Sequence, residues 1–150
     1  GPGVIDPLVR PATAADADQL ELLEHEARSS LVDQRGGARW LVEHPEIGDG
    51  WSEHVERVDV VVAHIDAVVV GYLVSAIGAD RIVRVDQVWV TPEARELGFG
   101  DELLAASIAR AVERGAVAVE GQALPGDRHT KNLYERAGIV ARLITTYRDL

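Results

Sequence analysis

The sequence predicts an α/β fold of the α+β type, in which helices cover both faces of a mixed sheet. Apolar residues recur every three or four positions before residue 45 and after residue 100, as in amphipathic helices. The stretch from 58 to 90 is instead dominated by valine and isoleucine, which favour strands. A helix over 100–114 then leads to another short strand, and a strand–helix–strand connection of this kind is parallel and right-handed.

The first third of the chain is predicted to contain one strand and two helices. Leu8–Pro11 has the pattern of an opening strand, and residues 13–16 resemble a capping box at the start of a helix. The apolar side chains of that helix form one stripe: Leu20, Leu23, Ala27 and Leu31. A shorter helix covers 38–43, and the glycine-containing stretch 46–57 is predicted to be a loop.

The remaining residues alternate between strands and helices. An antiparallel hairpin is predicted around the turn at 65–67, and Gly115 and Gly138 are natural helix ends. The predicted elements, in chain order, are strands at 58–64, 68–77 and 81–90, a helix at 100–114, a strand at 116–123, a helix at 127–137 and a last strand at 139–148.

Charge and composition exclude several kinds of site. The formal net charge is −10, whereas a nucleic-acid-binding domain needs a basic face, so no nucleic acid partner is expected. The same field would attract a cationic acceptor such as an amine, and the alternative is that the acidity only keeps the protein soluble. The chain has no cysteine, and no pair of histidines has metal-ligand spacing, so we predict no metal. The apolar runs are too short to cross a bilayer, so no membrane partner is expected.

The length of 150 residues fits one domain. Gly1-Pro2-Gly3 resembles the remnant of a cleaved expression tag, and we therefore assign the single domain to residues 4–150. A basic, then apolar leader is not recognisable at the start of the sequence, and a cytoplasmic location is expected.

The turn from Arg95 to Gly100 is a candidate anion site. It lies just before the helix at 100–114, and a helix N-terminus offers unpaired N–H groups and a partial positive charge. Gly98 and Gly100 allow a phosphate to approach the backbone, and Arg95 adds a charged donor. Two alternatives are a tight turn without a ligand and a dinucleotide-binding fingerprint. The fingerprint does not fit, because seven residues separate the strand from Gly98.

Two segments resemble one known family. The segment from Val88 to Gly100 contains the R-x-x-G-x-G pattern and closely resembles the coenzyme A motif of the general-control-related N-acetyltransferase (GNAT) superfamily. The segment from Leu133 to Gly138 resembles the L-Y-x-x-x-G ending of the same family. The resemblance implies a GNAT-like mixed, mostly antiparallel sheet of six to seven strands with a splayed parallel pair.

The resemblance also implies where acetyl-CoA binds. The main chain of the strand would pair with the pantetheine arm, and the turn would hold the pyrophosphate, mostly through N–H groups. Asp127 stands where the family often has an asparagine that bonds the pantetheine, and Asn132 replaces it if the helix starts later. The implied cofactor-binding residues are Val88, Trp89, Val90, Arg95, Glu96, Leu97, Gly98, Phe99, Gly100, Asp127 and Asn132. The acids Glu96 and Asp101 depart from the small or basic residues that are commoner there.

The implied catalytic residues are Tyr134, Asp86 and Glu120. Tyr134 matches the family tyrosine near the thioester sulfur, where a phenol can give a proton to the departing thiolate. Asp86 is the best match to the family's acid on the strand before the turn, and Glu120 is a second candidate for the base. The alternatives are an anchoring role for Tyr134 and a salt bridge from Asp86 to Arg84, on the same face of the strand. His64 and His129 are further possible bases.

These features predict an acyl-CoA-dependent N-acetyltransferase that acts by direct attack of an amine on the thioester. The alternative is a CoA-binding regulatory or partner module with little turnover. The acceptor is a small-molecule or peptide amine, whose pocket Trp40 and Trp51 either line or merely stabilise from the core. A homodimer is possible through 139–148, where Leu143 and Ile144 are the candidate contacts.

Overall fold

The computed structural model describes residues 8–150, so the predicted tag remnant and residues 4–7 lie outside the described part. The helices and strands are β1 (Leu8–Pro11), α1 (Ala17–Leu31), α2 (Gly37–Glu43), α3 (Trp51–Arg57), β2 (Asp59–Ile65), β3 (Val68–Ile77), β4 (Ile82–Val90), α4 (Phe99–Glu113), β5 (Ala118–Gly121) and α5 (Arg128–Arg136).

The described residues form one mixed sheet in the order β1-β2-β3-β4-β5. All neighbouring strands are antiparallel except β4 and β5, which are parallel and joined through α4. The prediction of six to seven strands is therefore wrong, because residues 8–150 contain five. Residues 139–148 do not form the predicted last strand. Their β-branched and aromatic residues favour a strand, but a strand also needs a ladder partner, and none of the described strands pairs with them.

The pairing of the parallel strands stops part-way along β4, because β5 ends at Gly121. The register joins Ile82 to Ala118 and ends where Val85 meets Gly121, so residues 86–90 of β4 have no partner on the β5 side. The space on this side of 86–90, beyond the end of β5, is called the gap below, and the main-chain groups of β4 that face it have no strand partner. The splayed pair that the family resemblance implies stays a prediction.

Two apolar clusters lie on opposite faces of the sheet. One combines α4 and α5 with the sheet and includes Phe99, Leu103 and Leu133. The other combines α1 and α3 with the sheet and includes Leu20, Trp51 and Tyr72. Helices on both faces agree with the predicted fold class.

The loop predicted for 46–57 is wrong, because a 3-10 turn at Gly48–Gly50 leads directly into α3. The Trp51 side chain is only 1% exposed and packs edge-to-face on Tyr72, with ring centres 5.5 Å apart. Val55 and Val58 pack against the same cluster at helical spacing. Burial of one face of the segment thus stabilises a helix, although Gly48 and Gly50 had indicated a loop.

Candidate active site

The turn before α4 presents a row of unpaired donors. Gly98 is the N-cap residue and has a φ of 88°, a left-handed conformation that glycine adopts without a steric penalty. Within residues 8–150, no protein acceptor pairs with the N–H groups of 96–101, and the first main-chain bond runs from the Glu102 N–H to the Gly98 carbonyl (3.1 Å). The helix dipole adds a partial positive charge, so this turn can bind an anion.

The two acids near the turn differ in their surroundings. Asp101 forms an ion pair with Arg136 at 2.9 Å, which offsets its charge. Glu96 is exposed and has a φ of 68°, the left-handed region that a side chain with a β-carbon disfavours. Leu97 is also exposed, whereas Phe99 is buried in the core and anchors the start of α4. The main chain of the turn, and not its side chains, is therefore what faces an anion.

The main chain of β4 alternates between the two sides of the strand. The Thr91 N–H donates to the Val70 carbonyl at 2.8 Å, which fixes the alternation of hydrogen bonds with β3. By that alternation the peptide groups of Trp89 face β3, and those of Val88 and Val90 face the gap beside β5. Val88 therefore offers its N–H and carbonyl, and Val90 its N–H, to an extended ligand in the gap.

Arg95 ties the turn to the end of β4. Its Nε donates to the Val90 carbonyl at 3.0 Å, and its guanidinium lies 4.6 Å from the centre of the Trp89 ring. A guanidinium over an indole ring is held by a cation–π attraction. Trp89 thus contributes its ring to the site by fixing Arg95.

A small cleft lies between the end of β4 and the start of α5. Its lining residues are Val88, Trp89, Val90, Arg95, Gly100, Asp127, His129, Thr130 and Leu133. Most of these were predicted from the sequence. His129 was considered only as a base, and its pKa is lowered, first by burial and then by Arg95.

Asp127 is the N-cap of α5. Its carboxylate accepts from the Thr130 N–H at 3.1 Å and from the Thr130 hydroxyl at 2.7 Å, as N-cap aspartates do. Because α5 begins at Arg128, the later helix start that would bring Asn132 into the site does not occur. Asn132 is exposed and is not among the residues that line the cleft.

Tyr134 lies at the end of the gap where β5 stops. It is 6% exposed and packs against Gly121, the last residue of β5. A β-carbon built on Gly121 would lie 2.6 Å from the Tyr134 hydroxyl, so a glycine is required there. Burial, with a smaller effect of Asp127, raises the pKa of Tyr134 to about 12. The phenol therefore stays protonated throughout the neutral range.

Asp86 occupies a β-bulge. Val74 pairs with Gln87 while Ser75 pairs with Val85, so Asp86 is the extra residue. The bulge places Asp86 and Gln87 on the α1 and α3 face, and Val88 on the opposite face. The prediction that residues 84, 86 and 88 share one face is therefore wrong.

The alternative salt bridge between Arg84 and Asp86 is not formed. Arg84 instead pairs with Asp80 at 2.7 Å and with Glu120 at 3.3 Å. Glu120 is thus engaged in an ion pair at the surface, and its side chain is 58% exposed. His64 is occupied in the β2–β3 hairpin, where its Nδ1 lies 2.9 Å from the Asp66 carbonyl oxygen.

Two histidines that were not predicted lie near Asp86. Asp86 is exposed, but the surrounding protein raises its pKa by reducing its hydration, and the charges of His54 and His44 partly offset this rise. The pKa of His54, on α3, is lowered mainly by burial and then by Arg57, against smaller opposite effects of Asp86 and Glu24. The sequence signal for His54 was its helical spacing from Trp51, which the loop assignment concealed.

The two tryptophans of the predicted acceptor region have different roles. Trp51 is buried in the core, so it does not line a pocket. Trp40 is partly exposed and stacks on the His44 ring, with centres 4.2 Å apart. Trp40 and His44 therefore form one aromatic wall on the side of the sheet that carries Asp86.

Two negative observations concern residues 8–150. No three histidine, aspartate or glutamate side chains in this part converge as metal ligands would. None of its helices is both long and apolar enough to span a bilayer.

A helix N-terminus with unpaired N–H groups, beside a strand end whose main chain is also unpaired, defines an α/β fold with an anion-binding site. The chain belongs to the acetyltransferase (GNAT) family, whose model matches residues 20–139. No curated protein matches the chain significantly.

Solved structures show the same fold at low identity. The aminoglycoside acetyltransferase AAC(6')-Iy, in complex with the bisubstrate analogue CoA-S-monomethyl-acetylneamine, has a TM-score of 0.71 at 16% identity, covering 97% of this chain and 99% of its own. The ribosomal-protein-alanine N-acetyltransferase of Brucella melitensis biovar Abortus 2308 has a TM-score of 0.71 at 18% identity, with the same coverage. The tetramutant of the BH1408 protein of Bacillus halodurans has a TM-score of 0.75 at 16% identity, covering 95% of this chain and 99% of its own.

Proposed function

We propose that the chain is an acetyl-CoA-dependent N-acetyltransferase. The observation that carries the proposal is the arrangement of three features: the unpaired N–H groups of 96–101, the main-chain groups of Val88 and the Val90 N–H that face the gap, and Tyr134 at the end of the gap. An extended ligand with a phosphate at one end and a reactive group at the other matches this arrangement. Structural neighbours crystallised with CoA or a CoA analogue support it.

The gap connects the two candidate catalytic groups. Tyr134 approaches it from the α5 face, and Asp86 stands at its edge on the α1 face. In the proposed reaction Asp86 accepts a proton from the amine, directly or through water, and the amine nitrogen attacks the thioester carbon. As the carbon–sulfur bond breaks, Tyr134 donates a proton to the thiolate. The products are the acetylated amine and the free thiol of CoA.

The acceptor is proposed to be a small-molecule or peptide amine. The neighbours include aminoglycoside acetyltransferases and a ribosomal-protein-alanine N-acetyltransferase, which support either kind. The net charge of −10 favours cationic amines over nucleic acids. The cytoplasmic location, the single domain at 4–150, the absence of a metal and the homodimer stay predictions.

The test is calorimetry with acetyl-CoA followed by thiol release across a panel of amines, including sisomicin and a peptide with an N-terminal alanine. Binding with thiol release on one amine supports the enzyme. The alternative, a CoA-binding module, is favoured by the acidic Glu96 and Asp127 near the cradle, and it predicts binding without release. An absence of binding would overturn both functions.

Replacing Glu96 with glycine is expected to stabilise the protein and tighten acetyl-CoA binding. Relief of the left-handed conformation is worth about 1 kcal/mol of unfolding free energy. Loss of the negative charge near the pyrophosphate adds up to about fivefold in affinity. Urea unfolding and calorimetry measure the two effects. Glu96→Gln is the matched control, since it removes the charge and keeps the strain; unchanged affinity in both variants would contradict a pyrophosphate at this turn.

Replacing Gly121 with alanine is expected to displace the Tyr134 ring. The new β-carbon would lie 2.5 Å from the Tyr134 Cζ, and β5 is held by its pairing with β4. We expect a loss of about 1–3 kcal/mol in unfolding free energy and slower thiol release. Gly126→Ala is the control, because its nearest atom would be 3.6 Å away. Equal stability and turnover in the two variants would show that the ring is not confined.

A further inference from the structure

The carboxylate of Glu24 is the most heavily bonded buried group in the described part of the chain outside the cleft. It lies in the middle of α1 and is 1% exposed. It accepts from the main-chain N–H groups of Ile47 (3.0 Å) and Gly48 (2.9 Å) and from the Trp51 indole N–H (3.2 Å). A buried carboxylate is costly unless such donors surround it, so these bonds fix the turn that starts α3.

The same carboxylate also contacts the β4 bulge. Its Oε2 accepts from the Gln87 side-chain amide at 3.3 Å, and the Gln87 amide oxygen accepts from the Tyr72 hydroxyl at 2.7 Å. Gln87 is the residue that follows Asp86 within the bulge. The chain of bonds therefore restrains the backbone on which Asp86 is mounted.

His54 is linked to Glu24 through Trp51, whose indole N–H donates to the Glu24 carboxylate. It follows Trp51 by nearly one helical turn, and the two rings meet edge-to-face with centres 5.8 Å apart. Glu24 thus holds two segments at once, one carrying His54 and the other carrying Asp86. These segments are 32 residues apart in sequence and reach α1 from different elements.

We propose that Glu24 is a positioning residue, whose carboxylate sets His54 and Asp86 opposite each other on the acceptor side of the sheet. That this face receives the acceptor rests on the proposed function. The arrangement makes Asp86 and His54 one coupled pair, through which a proton from the amine can leave. Glu24 acts on the reaction only through these two groups.

The coupling can be measured without any substrate. The charged or titratable groups that face His54 are Arg57 on its own helix, Asp86 on β4 and Glu24 on α1. In the full-length protein, NMR titration of the His54 ring is expected to give a lower pKa after Asp86→Asn, because a neighbouring negative charge is removed. The size of that change in pKa reports how close the two groups are.

The test repeats this Asp86→Asn comparison in the background of Glu24→Gln. The amide keeps the shape of the side chain but cannot accept from all four donors. We expect the change in the His54 pKa to fall to less than about half of its value in the wild-type background, as for coupled groups in a double-mutant cycle. An undiminished change would overturn the proposal.

Two further variants sharpen the test. Gln19→Ala is the matched control, because Gln19 also ties α1 to the sheet, accepting from the Val69 N–H at 2.8 Å, but far from Asp86. Gln19→Ala is expected to leave the His54–Asp86 coupling unchanged. A loss of coupling equal to that in Glu24→Gln would overturn the proposal. If Glu24→Gln does not fold, Gln87→Met removes only the bond to the bulge; undiminished coupling in that variant would overturn the proposal equally. Because acetyl-CoA is absent, a negative result leaves the proposed function standing.

Discussion

Replacing Tyr134 with phenylalanine is expected to slow thiol release by about 10²- to 10⁴-fold, the range of a lost general acid. The ring of phenylalanine fills the same space against Gly121, so the fold and the binding of acetyl-CoA should be unchanged. The loss should therefore appear in kcat and not in KM for acetyl-CoA. Stopped-flow or steady-state thiol release, with calorimetry for binding, measures both.

The raised pKa of Tyr134 is compatible with this role. Burial raises the pKa of the phenol to about 12 because the site disfavours a phenolate. The same poorly solvated surroundings disfavour a free thiolate, so a hydrogen bond or proton from Tyr134 lowers the energy of the departing group.

Tyr147→Phe is the matched control, since its phenol lies on the exposed segment after α5 and bonds Asp149. It is expected to leave turnover unchanged. Tyr134→Phe activity within about threefold of wild type would contradict a general acid, whose removal costs far more.

The parts of the fold that were predicted are those set by local sequence. The hairpin formed by β2 and β3 follows from two valine-rich runs and a short turn, and its observed ends differ from the predicted ones by one residue at most. The failures depend on distant partners. Trp51 makes a helix of 51–57 by packing on Tyr72, and residues 139–148 have strand-like sequence but no neighbouring strand.

The candidate site likewise contains residues that could be predicted from local sequence and residues that depend on distant partners. The turn at 95–100 and Tyr134 are visible as short motifs, because each resembles a family segment with fixed internal spacing. Glu24 has no such signal, since its donors come from positions 23 to 63 residues away. The bulge is visible in the sequence, because the core-facing valines Val85 and Val88 of β4 are three residues apart and not two. A change of one residue in an alternating strand is the signature of a bulge.

Replacing Asp86 with asparagine is expected to lower turnover by about 10²-fold or more near neutral pH, because the amine loses its proton acceptor. Only the ionised carboxylate is a base, so wild-type activity should fall as pH decreases through the pKa of Asp86. The reduced hydration of Asp86 raises that pKa, and the fall therefore begins at a higher pH than for an ordinary aspartate. The variant should lack this acidic limb. A pH–rate profile of thiol release measures it, and an identical profile in both proteins would exclude Asp86 as the base.

Asp86→Asn is also expected to increase the stability of the protein. An aspartate whose role is structural would give the opposite result, because its loss would lower stability. Because the folded pKa of Asp86 is raised, the folded state binds more protons than the unfolded state between the two pKa values, and stability decreases as pH rises through that window. Above it the ionised Asp86 opposes folding, so Asp86→Asn should raise the Tm most at neutral pH.

Asp80 is the matched control, and its effect on stability is expected to have the opposite sign, since hydrogen bonds from Arg84 lower its pKa to about 2. Its ionised form supports folding, and Asp80→Asn should lower the Tm at neutral pH. An unchanged or lower Tm in Asp86→Asn would contradict a carboxylate that destabilises the fold.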